Sequence, residues 1–243
     1  MSLSRPARMA FLTAAACAIV YIAAILAVDS GSSNTPTAVT PTYVTTTSRA
    51  VTATDSPALA KLAALPIKGR APKTNYDRAL FGSPWSDDVT VEGGHNGCDT
   101  RNDILRRDLT GAGFKPGRKS CIVLSGILND PYSGETLLYQ RGPGSSSRIQ
   151  IDHIVPILDA WQKGAQDWNY MTRRNFANDP INLQTTTAAV NDQKGSSDAA
   201  SWLPPRTSYR CTYATRIVDV KTRYELWITP PEHDALARVL SAC

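Results

Sequence analysis

The chain has 243 residues, a formal net charge of +5 and a mean hydropathy of −0.24. This length allows one or two globular domains. The mild positive charge permits a polyanionic partner without requiring one, because ordinary solubility explains it equally well. Only three histidines occur and no cysteine pair has the C-x-x-C spacing, which argues against a zinc site.

The N-terminus predicts export from the cytosol. Arg5 and Arg8 precede residues 9–28, a run without any charged residue. At about 1.5 Å per residue this run spans roughly 30 Å, the thickness of a bilayer's hydrocarbon core. The upstream arginines favour a cytoplasmic N-terminus with the rest of the chain outside. We therefore expect residues 1–29 to be a membrane anchor or a cleaved signal peptide, and Cys17, after three alanines, leaves a lipoprotein as a third possibility.

Residues 30–56 are rich in Thr and Ser and contain two prolines. Such a tract has too few apolar side chains to offset the entropy of an ordered chain, so it predicts a disordered tether. The remaining residues, 57–243, show no second boundary and are expected to form one domain.

Apolar periodicity and turn signals predict the elements of this domain. Thr100 and Asp103 are expected to cap a helix that ends near Gly111. A β-hairpin is predicted around the turn NDPYSG. The further expected elements are helices near 57–68, 158–163, 171–179 and 187–195, and strands near 149–155 and 181–185.

The C-terminal residues predict a helical hairpin closed by a disulfide. Thr229 and Glu232 have the spacing of a capping box in front of the second helix. Two helices joined by a short link are antiparallel neighbours, which brings Cys211 close to Cys243. Outside the cytosol an even number of cysteines indicates disulfides, so Cys98 is expected to pair with Cys121.

The segment IQIDHIVPILDAW, residues 149–161, places Asp152 and His153 side by side in an apolar run. A buried charge costs several kcal/mol unless it is paired or binds a metal. Alone, the pair is explained by a structural role. Asn191 and Lys194, three residues apart, can share one helix face opposite this strand. A neutral imidazole, oxygen ligands suited to Mg²⁺ or Mn²⁺, and a cation for phosphate are what phosphodiester hydrolysis requires.

The series D-H-I-V-P, N-L-x-T and N-x-x-K resembles the signature of HNH endonucleases. The stretches GCDTRNDIL, DPYSGE, FANDPINL and WLPP are similar to an exported bacterial HNH family related to the C-terminal domain of GmrSD-type restriction enzymes. The similarity covers residues 75–243, with the nuclease core at 149–198. It implies an α+β fold with a ββα-metal core, a preceding β-hairpin and the disulfide-linked C-terminal helical hairpin.

The resemblance also implies a role for each polar residue. His153 would be the general base, and Asp152 and Asn191 would be ligands of one divalent metal ion, Mg²⁺ or Mn²⁺. Asn182 would support the loop between the strands through backbone hydrogen bonds, and Lys194 would bind phosphate. The position of Asn191, where many HNH proteins have a histidine, favours these metals over zinc.

Arg101 is a candidate phosphate contact, and an ion pair with Asp99 or Asp103 is an equally good interpretation. The expected partner is a nucleic acid substrate, with DNA favoured, and the membrane where the N-terminal segment is retained. No obligate protein partner is implied.

Two other functions are consistent with the sequence. The chain can be a catalytically silent envelope protein that binds nucleic acid or wall polymer, or a hydrolase of another phosphodiester. The combination of a base with metal ligands favours the endonuclease, because a pure binding module does not need it.

Overall fold

The computed structural model describes residues 56–117, 120–144 and 146–243. The predicted membrane segment and nearly all of the predicted tether lie outside these residues. Within the described ranges, no helix combines the length and the apolar character needed to cross a membrane.

The described residues form a mixed α+β structure. Its α-helices are α1 (Pro57–Ala64), α2 (Thr100–Asp108), α3 (Ile157–Trp161), α4 (Tyr170–Asn178), α5 (Ala188–Lys194), α6 (Arg210–Arg223) and α7 (Pro230–Ser241). Its strands are β1 (Leu109–Phe114), β2 (Val123–Asn129), β3 (Thr136–Gln140), β4 (Ile149–His153) and β5 (Leu183–Thr187).

Strands β1, β2 and β3 form an antiparallel sheet in that order. The predicted β2–β3 hairpin is confirmed. The predicted continuation of α2 to Gly111 is wrong, because the chain leaves the helix at Leu109 and pairs with β2 opposite Leu128. The helix N-cap also differs from the prediction: the Asp99 carboxylate, rather than Thr100, accepts a hydrogen bond from the amide of Asn102.

Strands β4 and β5 form a separate antiparallel pair, in which Ile149 lies opposite Thr187 and His153 opposite Leu183. Thr187 ends β5 and is also the N-cap of α5, since its hydroxyl accepts from the amide of Val190. No loop separates the strand from the helix. This β4–β5–α5 unit brings the candidate residues on β4 and α5 close together.

Two clusters of buried apolar side chains pack the helices and strands together. One lies among α1, α3, α4, α6 and α7 and includes Phe176, Tyr213 and Leu236. The other joins α2, the three-stranded sheet and β4, and includes Leu105 and Ile149. Because β4 and the segment that follows it contribute to both clusters, the position of His153 is set by the whole core.

Both predicted disulfides are confirmed, with Cα–Cα distances of 5.2 Å for Cys98–Cys121 and 5.8 Å for Cys211–Cys243. The second closes the α6–α7 hairpin. The predicted capping box is wrong: Thr229 is the N-cap of α7, but its side chain makes no capping hydrogen bond. Glu232 instead points into the core.

Candidate active site

His153 is the last residue of β4, and its ring is held by a backbone carbonyl. Nε2 lies 2.9 Å from the oxygen of Ala177. A carbonyl only accepts, so Nε2 carries the proton and Nδ1 of the neutral ring has a free lone pair. Burial lowers the pKa of His153 to about 4, aided by the charges of Arg78 and Lys194 and opposed by the bond to Ala177. The imidazole is therefore neutral at pH 7 and can accept a proton at Nδ1.

Asp152 is buried beside it, and both of its carboxylate oxygens have partners. Oδ1 accepts from Nζ of Lys194 at 2.7 Å, and Oδ2 accepts from the Tyr132 hydroxyl at 2.8 Å. Burial raises the pKa of Asp152, while Lys194 and Tyr132 act in the opposite direction. These two donors compensate much of the cost of placing the carboxylate away from water.

Asp152, His153 and Asn191 line one cavity of about 450 Å³, which we call the polar cavity. The exposed Asp192 lines it as well. Asn191 donates from Nδ2 to Oε1 of Gln150 at 2.6 Å, and among the described residues no donor contacts its Oδ1. The predicted base and the predicted metal ligands thus meet at one opening.

Lys194 does not lie where the sequence placed it. Its side chain is only 1% exposed, and Nζ donates to Asp152 and, at 2.7 Å, to the carbonyl oxygen of His153. The ammonium is enclosed between α5 and β4 and does not line the polar cavity. Its position corrects the predicted phosphate contact: in this structure Lys194 neutralises Asp152.

Arg101 is also removed from the cavity. Its guanidinium donates to the carbonyl oxygens of Ile149 at 3.0 Å and Ser146 at 3.4 Å. No ion pair with Asp99 or Asp103 occurs in the described residues. Arg101 therefore holds the start of β4, and neither of the predicted roles describes its contacts.

Asn182 joins the two strands at their loop. Its Oδ1 accepts from the amide of Val155 at 2.8 Å, and its backbone carbonyl accepts from the amide of Ile154 at the same distance. Its Nδ2 reaches the carbonyl of Val155 at 3.3 Å. These bonds fix the turn that follows His153.

Arg78 is a site residue without a signature in the sequence. It begins a short 3₁₀ turn, Arg78–Phe81, that contacts α3 and α4 and so returns to the site. Asp77 starts this turn by accepting from the amide of Ala79 at 2.8 Å. The Arg78 side chain is exposed, lines the polar cavity, and has no ion pair within the described ranges. Only the tertiary fold brings it to His153.

A second cavity, of about 480 Å³, is also lined by His153, and we call it the aromatic cavity. Its residues are Arg78, Ala79, Phe81, Gly82, Ser83, Pro84, Trp85, His153, Ile157, Tyr170, Ala177 and Asn178. The Trp85 indole and the His153 imidazole are nearly parallel, at 12°, with ring centroids 6.3 Å apart. His153 and Arg78 thus belong to both cavities.

Comparison with protein families identifies the chain. Residues 99–239 match the model of the C-terminal domain of GmrSD restriction endonucleases. The chain belongs to this family. An uncharacterized secreted protein of Arthroderma benhamiae is 36% identical over 190 residues, which cover 77% of this chain and 85% of that protein. No solved structure matches the chain.

Only part of the site lies within the residues that match the GmrSD C-terminal family. The β4–β5–α5 unit, with His153 and Asn191, lies inside the matched residues, whereas Arg78 and Trp85 precede them. The secreted relative agrees with the two disulfides, and the protein is exported from the cytosol. The predicted export is confirmed.

Endonuclease families of this kind can use a metal ion. The oxygen donors of the residues that line the polar cavity fit a hydrated metal ion. Asp152 and Asn191, which both line this cavity, carry hard oxygen donors. Within the described residues no group of three or more His, Cys, Asp or Glu side chains is arranged to hold a metal. Two protein oxygens with the remaining positions left to water suit Mg²⁺ or Mn²⁺ better than zinc.

Proposed function

We propose that this protein is a metal-dependent HNH endonuclease that hydrolyses phosphodiester bonds of nucleic acid, with DNA as the favoured substrate, outside the cytoplasm. The β4–β5–α5 unit would be its ββα-metal core. The observation that carries the proposal is His153 itself: Ala177 holds its Nε2, which leaves Nδ1 as the acceptor, and the residue lines one cavity together with Asp152 and Asn191.

His153 would act as the general base. The bond from Nε2 to Ala177 fixes the tautomer, so the acceptor nitrogen is Nδ1. A water held within hydrogen-bond distance of Nδ1 would lose its proton to the ring as it attacks phosphorus. The carbonyl of Ala177 would then stabilise the imidazolium through the Nε2 proton.

Asp152 and Asn191 would hold the metal ion, Mg²⁺ or Mn²⁺. When bound, such an ion supplies positive charge for the phosphate and the leaving oxygen. Asp152 would share its carboxylate between the ion and Lys194, because Lys194 already donates to Oδ1. Lys194 therefore limits the negative charge of the site and favours a weakly held, hydrated ion.

Arg78 would take the phosphate-binding role that the sequence assigned to Lys194. Arg78 is exposed and lines both cavities. Arginine can bind two phosphate oxygens at once, and no carboxylate among the described residues competes for it. The positive charge near His153 also agrees with the depressed pKa of that ring.

The test is cleavage of plasmid DNA and of labelled RNA by the oxidised full chain in EDTA, Mg²⁺ or Mn²⁺. We expect metal-dependent cleavage, and His153→Ala should reduce its rate by at least about 100-fold, as loss of a general base does. Arg238→Ala, which removes an exposed side chain of α7 that lines neither cavity, is the control for a substitution outside the site. Full activity of His153→Ala would refute the base, and cleavage in EDTA would refute the metal.

A further inference from the structure

The aromatic cavity has the volume and the lining residues of a site for one planar, polar ring. Phe81, Trp85 and Tyr170 contribute aromatic surface, and Ile157 contributes an aliphatic wall. Tyr170 is 47% exposed although it begins α4 beside the site. A volume of about 480 Å³ lies in the range of small-ligand sites.

Asn178 gives this cavity a polar group that lacks a partner. Its side chain is 98% buried and lines the cavity, and no donor among the described residues reaches its Oδ1. Its Nδ2 donates to the carbonyl of Arg174 at 2.9 Å. The amide orientation follows from this bond, because a carbonyl requires the NH₂ group on its side. Oδ1 is therefore an acceptor that a bound N–H group can satisfy.

The backbone beside the cavity approaches α4 closely and has unusual conformations at two residues. Gly82 has φ of +85°, and a Cβ there would lie 2.9 Å from Cγ of Arg174 and 3.3 Å from the Tyr170 hydroxyl. Trp85 has φ of +59°, an unfavourable conformation for a bulky side chain. The chain keeps this conformation, which places the indole parallel to His153.

From these observations we infer that the aromatic cavity binds one nucleobase of the substrate strand, next to the phosphate attacked at His153. The inference rests on the proposed function, since it places the scissile phosphate in the polar cavity. His153 and Arg78 line both cavities, so a base bound in the aromatic cavity would lie next to a phosphate bound in the polar cavity. An N–H of the base would donate to Oδ1 of Asn178, and Tyr170 and Trp85 would contact its faces.

A base inside this cavity cannot be paired and stacked in a duplex. Extrusion of a paired base costs a few kcal/mol, and an unpaired base avoids most of that cost. The site therefore favours single-stranded DNA, or duplex DNA with unpaired nucleotides, over fully paired DNA.

Binding and cleavage test this inference separately. Fluorescein-labelled single-stranded DNA would be titrated with the oxidised full chain in EDTA, and the anisotropy recorded. Tyr170→Ala should weaken binding about tenfold, since stacking of one base on an aromatic ring is worth that much or more. Tyr170→Phe should restore binding to nearly the wild-type value. Leu138→Ala, which removes an exposed apolar side chain from β3, is the control and should bind like the wild type.

Strands with a single abasic site at successive positions would then be cleaved in Mg²⁺ or Mn²⁺. We expect one abasic position to slow cleavage at the neighbouring phosphate about tenfold in the wild type and to have little effect in Tyr170→Ala. Equal binding by wild type and Tyr170→Ala, or no abasic position with an effect, would overturn the base site even if the protein cleaves DNA. Tyr170-dependent binding without any cleavage would support the base site and refute the proposed function.

Discussion

At the scale of single residues, the ion pair between Asp152 and Lys194 determines what the site can do. Both side chains are buried, and the Tyr132 hydroxyl donates to the second carboxylate oxygen. A buried pair of this kind adds little net stability, but loss of one partner is costly. Lys194 is therefore best understood as the residue that allows a carboxylate to be kept inside the β4–β5–α5 unit.

His153 makes stability depend on pH. Its pKa is about 4 in the folded chain against an ordinary 6.5, so the unfolded chain binds the proton more tightly. Unfolding between these values takes up a proton, and the contribution of His153 to stability is complete above pH about 6.5 and decreases toward pH about 4. We predict that the stability advantage of wild type over His153→Gln is about 2 kcal/mol larger at pH about 7.5 than at pH about 5.

The measurement is urea unfolding of both proteins at the two pH values, followed by tryptophan fluorescence. The comparison between variants cancels the other titrating groups, including Asp152, whose raised pKa acts in the opposite direction. If the stability difference between wild type and His153→Gln did not change with pH, the imidazole of His153 would not be held neutral in the folded protein.

At the scale of elements, the disulfides stabilise the frame around the site without touching it. Cys211 and Cys243 are 32 residues apart and tie α6 to the end of α7. In the chain-entropy model a loop of this length contributes about 3–4 kcal/mol. We predict that Cys211→Ser with Cys243→Ser lowers the free energy of unfolding by about that amount and leaves the cleavage rate per folded molecule unchanged.

Urea unfolding and a cleavage assay at low temperature would test this prediction. The double variant of the other disulfide, Cys98→Ser with Cys121→Ser, would be measured beside it. That disulfide closes a similar span of 23 residues at the start of α2. If loss of the C-terminal disulfide abolished cleavage in protein shown to be folded, the hairpin would have a direct role in the reaction.

The predicted elements also show where sequence reasoning succeeds and fails. Asp152, His153, Asn182 and Asn191 were proposed from the motifs D-H-I-V-P, N-L-x-T and N-x-x-K, although α3 and α4 lie between β4 and β5. Strand β1 could not be predicted, since LTGAGF becomes a strand only by pairing with β2. Arg78 and Trp85 were missed for a related reason: their distance from His153 is set by packing between segments far apart in the chain.

At the scale of the whole molecule, a buried charge network joins the segment after β4 to the C-terminal hairpin. Lys163 contacts Asp159, Asp198 and Glu232 within 2.8 Å, and Lys221 contacts Asp159 and Glu232. The partly exposed Arg70 completes it by pairing with Asp159 and Asp198. Three positive and three negative side chains balance, so the network is satisfied only when α3, α6 and α7 are all in place.

Substitution of Glu232 would test whether this network makes the molecule unfold as one unit. Glu232→Gln leaves Lys163 and Lys221 with two carboxylates instead of three, so we predict a loss of roughly 3 kcal/mol in the free energy of unfolding. Asp234→Asn, two residues further along α7 and 67% exposed, should cost less than about 1 kcal/mol. Urea unfolding followed by both far-UV circular dichroism and tryptophan fluorescence would measure each variant. Equal losses for the two variants would contradict the network, and separate transitions in the wild type would contradict its role in coupling α7 to the active-site core.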